Sequence, residues 1–326
     1  MYMLERHYDA LTKGLPDRTQ LQAVNITNAA TWFFDDTKNI IVEPLMLETP
    51  HKVFAWKWDG DFPAVIPPFP VTWMEYKIPK WISDIVDANG VFTEVGNNID
   101  TMGYLIRAEP LQSEYGWLIT WESWRMLNAR LERMERKTGH LGRWFDGWEG
   151  SLHPWWKMTA KCTRQGELIT DSILYEFDED GDHFVETEAT IEQRRQDTDE
   201  TEHWLYGYEI WGTFHPVLFA TSLMHAKNVH LVDSPLPPAV AKRRRREGKP
   251  AITFKTLTIE SIRKQAATAT DGGNVGAKRA MHIVRGHFKD YRNSGGLFGK
   301  HKGLYWWDMR VAGDEHAGKV IKDYRI

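Results

Sequence analysis

Apolar and polar residues alternate along this 326-residue chain with more than one period. Between Trp121 and Gly139, the residues Trp121, Trp124, Leu127, Leu131 and Met134 stand three or four apart with charges between them. That spacing predicts an amphipathic helix, with Gly139 as its stop. Residues 173–191 alternate instead with period two on both sides of Asp180-Gly181, a pair that supplies the positive φ of a tight turn, and so predict a β-hairpin. A further helix is expected around residues 18–38. The rest of the first hundred residues mixes short apolar runs with prolines, and Pro67, Pro68, Pro70 and Pro79 leave room only for strands and loops. Residues 204–232 read as a buried strand-and-helix unit with Pro216 early in the helix. At the C-terminus, three strands are expected at about 281–291, 303–311 and 318–326, joined by glycine-rich turns. The predicted fold class is α+β: helices and antiparallel hairpins in a large N-terminal part, and a small antiparallel sheet at the C-terminus.

Charge sharpens this division. Residues 234–326 hold 20 Lys and Arg against 8 Asp and Glu, whereas the residues before them hold 21 against 37. The expected organisation is an acidic, Trp-rich part over 1–233, a Pro/Arg-rich basic arm or linker over 234–250, and a basic β module over 251–326 packed on the first part. A basic third of this size fits a polyanion, and it equally fits internal pairing with the acidic part. The 16 Trp, 14 Phe and 11 Tyr supply rigid apolar area for a core, and the same rings suit base stacking. A lone cysteine, Cys162, excludes an internal disulfide framework and any zinc site needing two thiolates. No apolar run is long enough to span a membrane and the start lacks a secretory pattern, so a cytoplasmic protein is expected.

Two segments carry candidate chemistry. Arg243, Arg244, Arg245 and Arg246, with Lys242 and Lys249 beside them, form a cationic run suited to phosphate. In the first C-terminal strand, alternation puts Arg285, His287, Lys289 and Tyr291 on one face and Val284 and Phe288 on the other. In the second, Trp306, Trp307 and Arg310 combine stacking surface with charge. The acidic turn Asp178, Glu179, Asp180 and Asp182 lacks the glycine offset and closing glutamate of a calcium loop and reads as solvated. No metal site is expected, and no residue requires a cofactor. Serine-hydrolase, P-loop and dinucleotide motifs are absent from the sequence.

The runs HIVRGHFKDY (282–291), GLFGKHKGLYWW (296–307) and the ending VIKDYRI (320–326), together with an Arg-x-x-Gly at Arg310, resemble the C-terminal module of an uncharacterised family of bacteriophage and prophage proteins. FATSLMHAKNVHLVD (219–233), the arm ending KRRRREGKP, and PPFPVTWMEY (67–76) are also similar to that family's pattern. Ala226 and Ile283-Val284 depart from it where it carries cysteines. The resemblance implies a phage or prophage origin and one continuous architecture, and it implies no activity.

The residues themselves suggest a nucleic-acid-binding accessory protein for RNA or single-stranded DNA. Arg243 to Arg246 and Lys249 would hold phosphate, and Trp306, Trp307 and Arg310 would stack. One alternative is a metal-independent endoribonuclease with His287 as base or acid, Arg285, Lys289 and Arg310 stabilising charge, and Tyr291 or Tyr324 positioning substrate. Another is an effector that blocks or redirects a host or defence protein through acidic surface and exposed tryptophans, and a host or phage protein is the expected partner besides nucleic acid.

Overall fold

A computed structural model describes residues 3–38, 62–78, 99–112, 115–127, 152–179, 182–187, 214–260, 280–284, 287–296, 302–307, 310–312 and 314–319. Its centre is one mixed sheet of nine strands: β1 (Leu21–Asn25), β2 (Val71–Lys77), β3 (Ile99–Pro110), β4 (Trp117–Leu127), β5 (Leu152–Cys162), β6 (Leu174–Glu179), β7 (Asp182–Thr187), β8 (Val229–Pro235) and β9 (Thr253–Ile259). Their order is β7-β6-β5-β4-β3-β2-β1-β9-β8, which leaves β7 and β8 as the edges. β1 runs parallel to both β2 and β9, and the other neighbours are antiparallel. The expected α+β arrangement, with helices and hairpins in the N-terminal part, is therefore corrected to a large mixed sheet with few helices, close to an α/β fold. Strand β9, from beyond the arginine run, completes the parallel centre by pairing Phe254 with Ala23.

The helix expected at 121–139 is also corrected: Trp117–Leu127 is strand β4, and residues 128–139 lie outside the described residues. Near its C-terminal end β4 is covered on both sides, so its large side chains there fall on odd and even positions alike. Trp121 enters one core and Trp124 packs on the other, and the change of face imitates a helical three-residue step. The helix expected over 18–38 divides into a 3-10 turn at Arg18–Gln20, strand β1, and helix α2 (Thr27–Lys38). The break follows Asn25, whose Oδ1 accepts from Thr27 N–H at 2.9 Å and turns the chain into the helix. The hairpin expected at 173–191 is present as β6 and β7, paired to Glu179 and Asp182, with Asp180-Gly181 outside the described residues.

Each face of the sheet has its own apolar layer. On one, α2 and a helix at 214–224, α3, lay Phe33, Phe214, Val217 and Leu218 against Val24, Met74, Tyr104 and Trp121. Phe214 stands edge-on to Trp121 and Trp156 at 5.6 and 5.2 Å. Ser222 donates to Ala64 O at 2.9 Å and fixes the segment that leads into β2. His215, enclosed beside Phe62, has its pKa pushed down to about 3 by burial and stays neutral. On the other face, α1 (Met3–Leu11) and α4 (Pro238–Arg246) cover Ala23, Trp73, Leu105 and Phe254. Further across that face the surface turns polar, with ion pairs Arg107–Glu122 and Lys157–Glu176.

Gly103 in β3 permits the close approach of α1. A Cβ there would stand 2.4 Å from the Trp73 ring and 2.7 Å from Met3 Sδ, so Gly103→Ala should destabilise the fold by about 1–3 kcal/mol, read from denaturant unfolding. Glu75 anchors the start of the same helix. Its carboxylate accepts from Met3 N–H at 3.1 Å, Leu4 N–H at 2.9 Å and Trp73 Nε1–H at 2.7 Å. Burial pushes its pKa from 4.5 up to about 7, against the pull of those donors. The folded chain thus keeps this proton to higher pH than the unfolded chain does. Glu75 should make unfolding free energy fall as pH rises from about 4.5 to 7 and level off above. Equilibrium unfolding across that range checks it, and Glu75→Gln should remove that part of the slope.

Candidate nucleic-acid interface

The one antiparallel sheet of three strands expected at the C-terminus is corrected to five short strands in two sheets, one of which pairs two strands in parallel, and residues 320–326 lie outside the described residues. β11 (His287–Asp290) and β12 (Leu304–Trp307) make an antiparallel pair, while β13 (Arg310–Ala312), β10 (Ala280–Val284) and β14 (Asp314–Lys319) make a separate three-stranded sheet. In the first, His287 pairs with Trp307, Phe288 with Trp306, and Lys289 with Tyr305. Period-two alternation sends the two sets of side chains to opposite sides.

The inner side is apolar. Trp306, 7% exposed, stands edge-on to Phe219 of α3 at 5.0 Å and to Phe288 at 4.8 Å. This ring belongs to the core and offers no stacking surface to solvent. Asn228 sets the depth of the hairpin by acting as an extra strand residue. Its Oδ1 accepts from Trp306 N–H at 3.0 Å, and its Nδ2 donates to Trp306 O at 2.9 Å and to Glu260 O at 3.1 Å. Lys227 N–H donates to Leu304 O at 2.8 Å alongside.

The outer side gathers His287, Lys289 and Tyr291 with Tyr305 and Trp307. The Lys289 ammonium lies 4.2 Å over the Trp307 ring, a cation–π contact, and Tyr291 meets Tyr305 edge-on at 6.2 Å. Tyr291 N–H donates to Gly303 O at 2.8 Å, so the ladder continues one pair past β11. Gly303 has φ +133°, and a Cβ on it would stand 2.6 Å from Lys227 Cε. The exposed Lys227 is thereby brought to the Tyr291 end of the face, a cation that the sequence pattern does not single out. Asp290 does not oppose these cations, because Arg292 holds its carboxylate through contacts of 2.7 to 3.0 Å and keeps its pKa below the usual range.

Among the remaining candidates, Arg310 lies in β13, paired with Val284, outside the β11–β12 sheet. Arg285 and Tyr324 lie outside the described residues. The arginine run forms the last turns of α4, which starts with Pro238 and places its cations at the negative end of the helix dipole. The four residues divide. Arg244, 2% exposed, donates from Nη1 to Glu5 O at 2.7 Å and from Nε to Pro250 O at 3.1 Å, above the Tyr8 ring. Arg243 donates to the buried Glu5 carboxylate at 2.7 Å. Arg245 and Arg246 are exposed, as is Lys242, while Lys249 pairs with Glu247 at 2.9 Å. Nothing in the pattern around Glu5 marks it as the partner of this run. Among the described residues no group of His, Cys, Asp and Glu is arranged to hold a metal ion, and no helix is long and apolar enough to cross a membrane.

The split gives a stability test. Arg244→Ala empties the buried guanidinium site and takes the donor from the buried Glu5 O, and should cost roughly 2–4 kcal/mol in urea unfolding. Arg245→Ala and Arg246→Ala should each stay within about 0.5 kcal/mol of the parent chain. Comparison with protein-family profiles, curated proteins and solved structures finds no match to this chain.

Proposed function

We propose that this chain is a nucleic-acid-binding accessory protein of phage or prophage origin, acting in the cytoplasm on RNA or single-stranded DNA. The observation that carries the reading is the outer face of the β11–β12 pair. There His287, Lys289 and Trp307 share one side while the opposite side, Phe288 and Trp306, is fixed in the core. A rigid platform with cations and aromatic rings on one side suits unpaired bases and their phosphates, and no recognition helix for a duplex groove is needed. The exposed Arg245, Arg246 and Lys242 of α4 supply further phosphate contacts that do not depend on sequence.

Titration with labelled single-stranded RNA and DNA across a salt series, with chelator present, tests this. Affinity should fall with salt. Replacing Arg245 and Arg246 by Ala should flatten the logarithmic slope by about 1.4, at about 0.7 for each phosphate contact on a single strand. Trp307→Ala should weaken binding by about 1–3 kcal/mol and leave the slope unchanged. Absence of binding at low salt would sink the proposal. Strand cleavage that disappears in His287→Ala would replace it with the ribonuclease reading.

A further inference from the structure

Helix α4 sorts its own cations, and the sorting decides which of them a phosphate backbone can use. Val240 and Ala241 pack on the core under α1 and α4, and Arg244 is buried, so these three mark the inward side. Successive residues turn by about 100°, which places Lys242 and Arg246 opposite that side and sets Arg243 and Arg245 on the two flanks. The flanks differ. On one, Glu5, Arg243, Glu247 and Lys249 alternate in charge, with contacts of 2.7, 3.9 and 2.9 Å along the series. Lys249 reaches this flank because Gly248, at φ +68°, reverses the chain, and Lys249 N–H then donates to Arg244 O at 3.0 Å. The hydrogen bond from its ammonium holds the Glu247 carboxyl below the usual carboxylate range. On the other flank and along the outward ridge, no carboxylate among the described residues pairs with Lys242, Arg245 or Arg246. The same turn takes up the carbonyls of Arg243, Arg244 and Arg245 through the N–H groups of residues 247–249, so this end shows little bare oxygen to an anion.

We infer that Lys242, Arg245 and Arg246 form a three-cation phosphate site on α4, and that Glu247 is its boundary, holding Arg243 and Lys249 off the nucleic-acid strand. This rests on the single-strand reading above and names which groups of α4 serve it. A cation already paired with a carboxylate must give up that partner before it neutralises a phosphate, so it adds little to binding. The six cations between Lys242 and Lys249 therefore count as three. Arg244 is structural, Arg243 answers Glu5, and Lys249 answers Glu247. Glu247 also repels phosphate directly, which turns the strand toward the Arg245 flank.

The test is a salt series with labelled single-stranded RNA and DNA on the full chain and its single variants. Lys242→Ala, Arg245→Ala and Arg246→Ala should each take about 0.7 from the magnitude of the logarithmic salt slope, and Lys249→Ala should leave it unchanged. Glu247→Gln keeps the length of the side chain and removes its charge. It should add about 0.7 to the slope as Lys249 becomes available to phosphate, and combining it with Lys249→Ala should restore the parent value. All five positions are exposed, so the fold tolerates these changes, and equal unfolding midpoints check that. A slope that falls as much in Lys249→Ala as in Arg245→Ala, or that stays unchanged in Glu247→Gln, would overturn the boundary while leaving single-strand binding standing. A slope insensitive to Lys242, Arg245 and Arg246 would overturn the site on α4. If neither strand binds at low salt, the underlying reading fails instead.

Discussion

The central strands are buried on both faces, and the rest of the architecture follows from having to cover them twice. In β1 the neighbours Ala23 and Val24 enter different cores, and in β2 Trp73 and Met74 do the same. Side chains of the size of Val24 and Met74 each gain about 1.5–3 kcal/mol on full burial, so leaving either face wet is not affordable. One cover comes from α2 and α3. The other is made from the chain's first described helix and from the helix that carries the arginines. That second cover draws charge into the interior: Glu75 under the start of α1, Glu5 on its inner side, and Arg244 reaching across to it. Buried charges need partners: Glu75 has main-chain N–H groups, Glu5 has Arg243, and Arg244 has the carbonyls of Glu5 and Pro250.

The outer hairpin depends on this packing through one side chain. Asn228 stands where α3 gives way to β8, and its amide joins that turn to Glu260 at the end of β9 and to Trp306 in β12. Three segments far apart in sequence are thus held by one planar group, and the bonds to both the N–H and the C=O of Trp306 define how the amide is turned. The row of cations and rings on the far side of the hairpin owes its fixed spacing to this anchor and to Phe219 behind it.

Local pattern reveals the parts of this protein that face water on one side. The opposite placement of Phe288 and Lys289 can be read directly, because one polar face leaves a period of two, and the alternation over 173–191 likewise marks the β6–β7 pairing. Where both faces are buried the period disappears. Trp121 and Trp124 then look like one stripe of a helix, and the β1 strand hides inside an expected helix. The mixed sheet itself could not be read, because the pairing of β9 with β1 joins residues more than 200 positions apart, and nothing local encodes it. The arginine run misleads for a related reason. Successive helical residues point about 100° apart, so a uniform run on a packed helix must turn some members inward. Arg244 is a core residue of α4, and Trp306 is a core residue of its hairpin.

Among the described residues the nine-stranded sheet ends in two borders, and an open sheet border is an invitation to another strand. The outermost strands here are β7, with Asp182, His183 and Glu186, and β8, with His230, Asp233 and Pro235. Charge at both borders, and a proline that has no N–H to offer at one of them, make strand addition unfavourable. Each of the two described borders thus carries its own deterrent, carboxylates at one and a missing donor at the other.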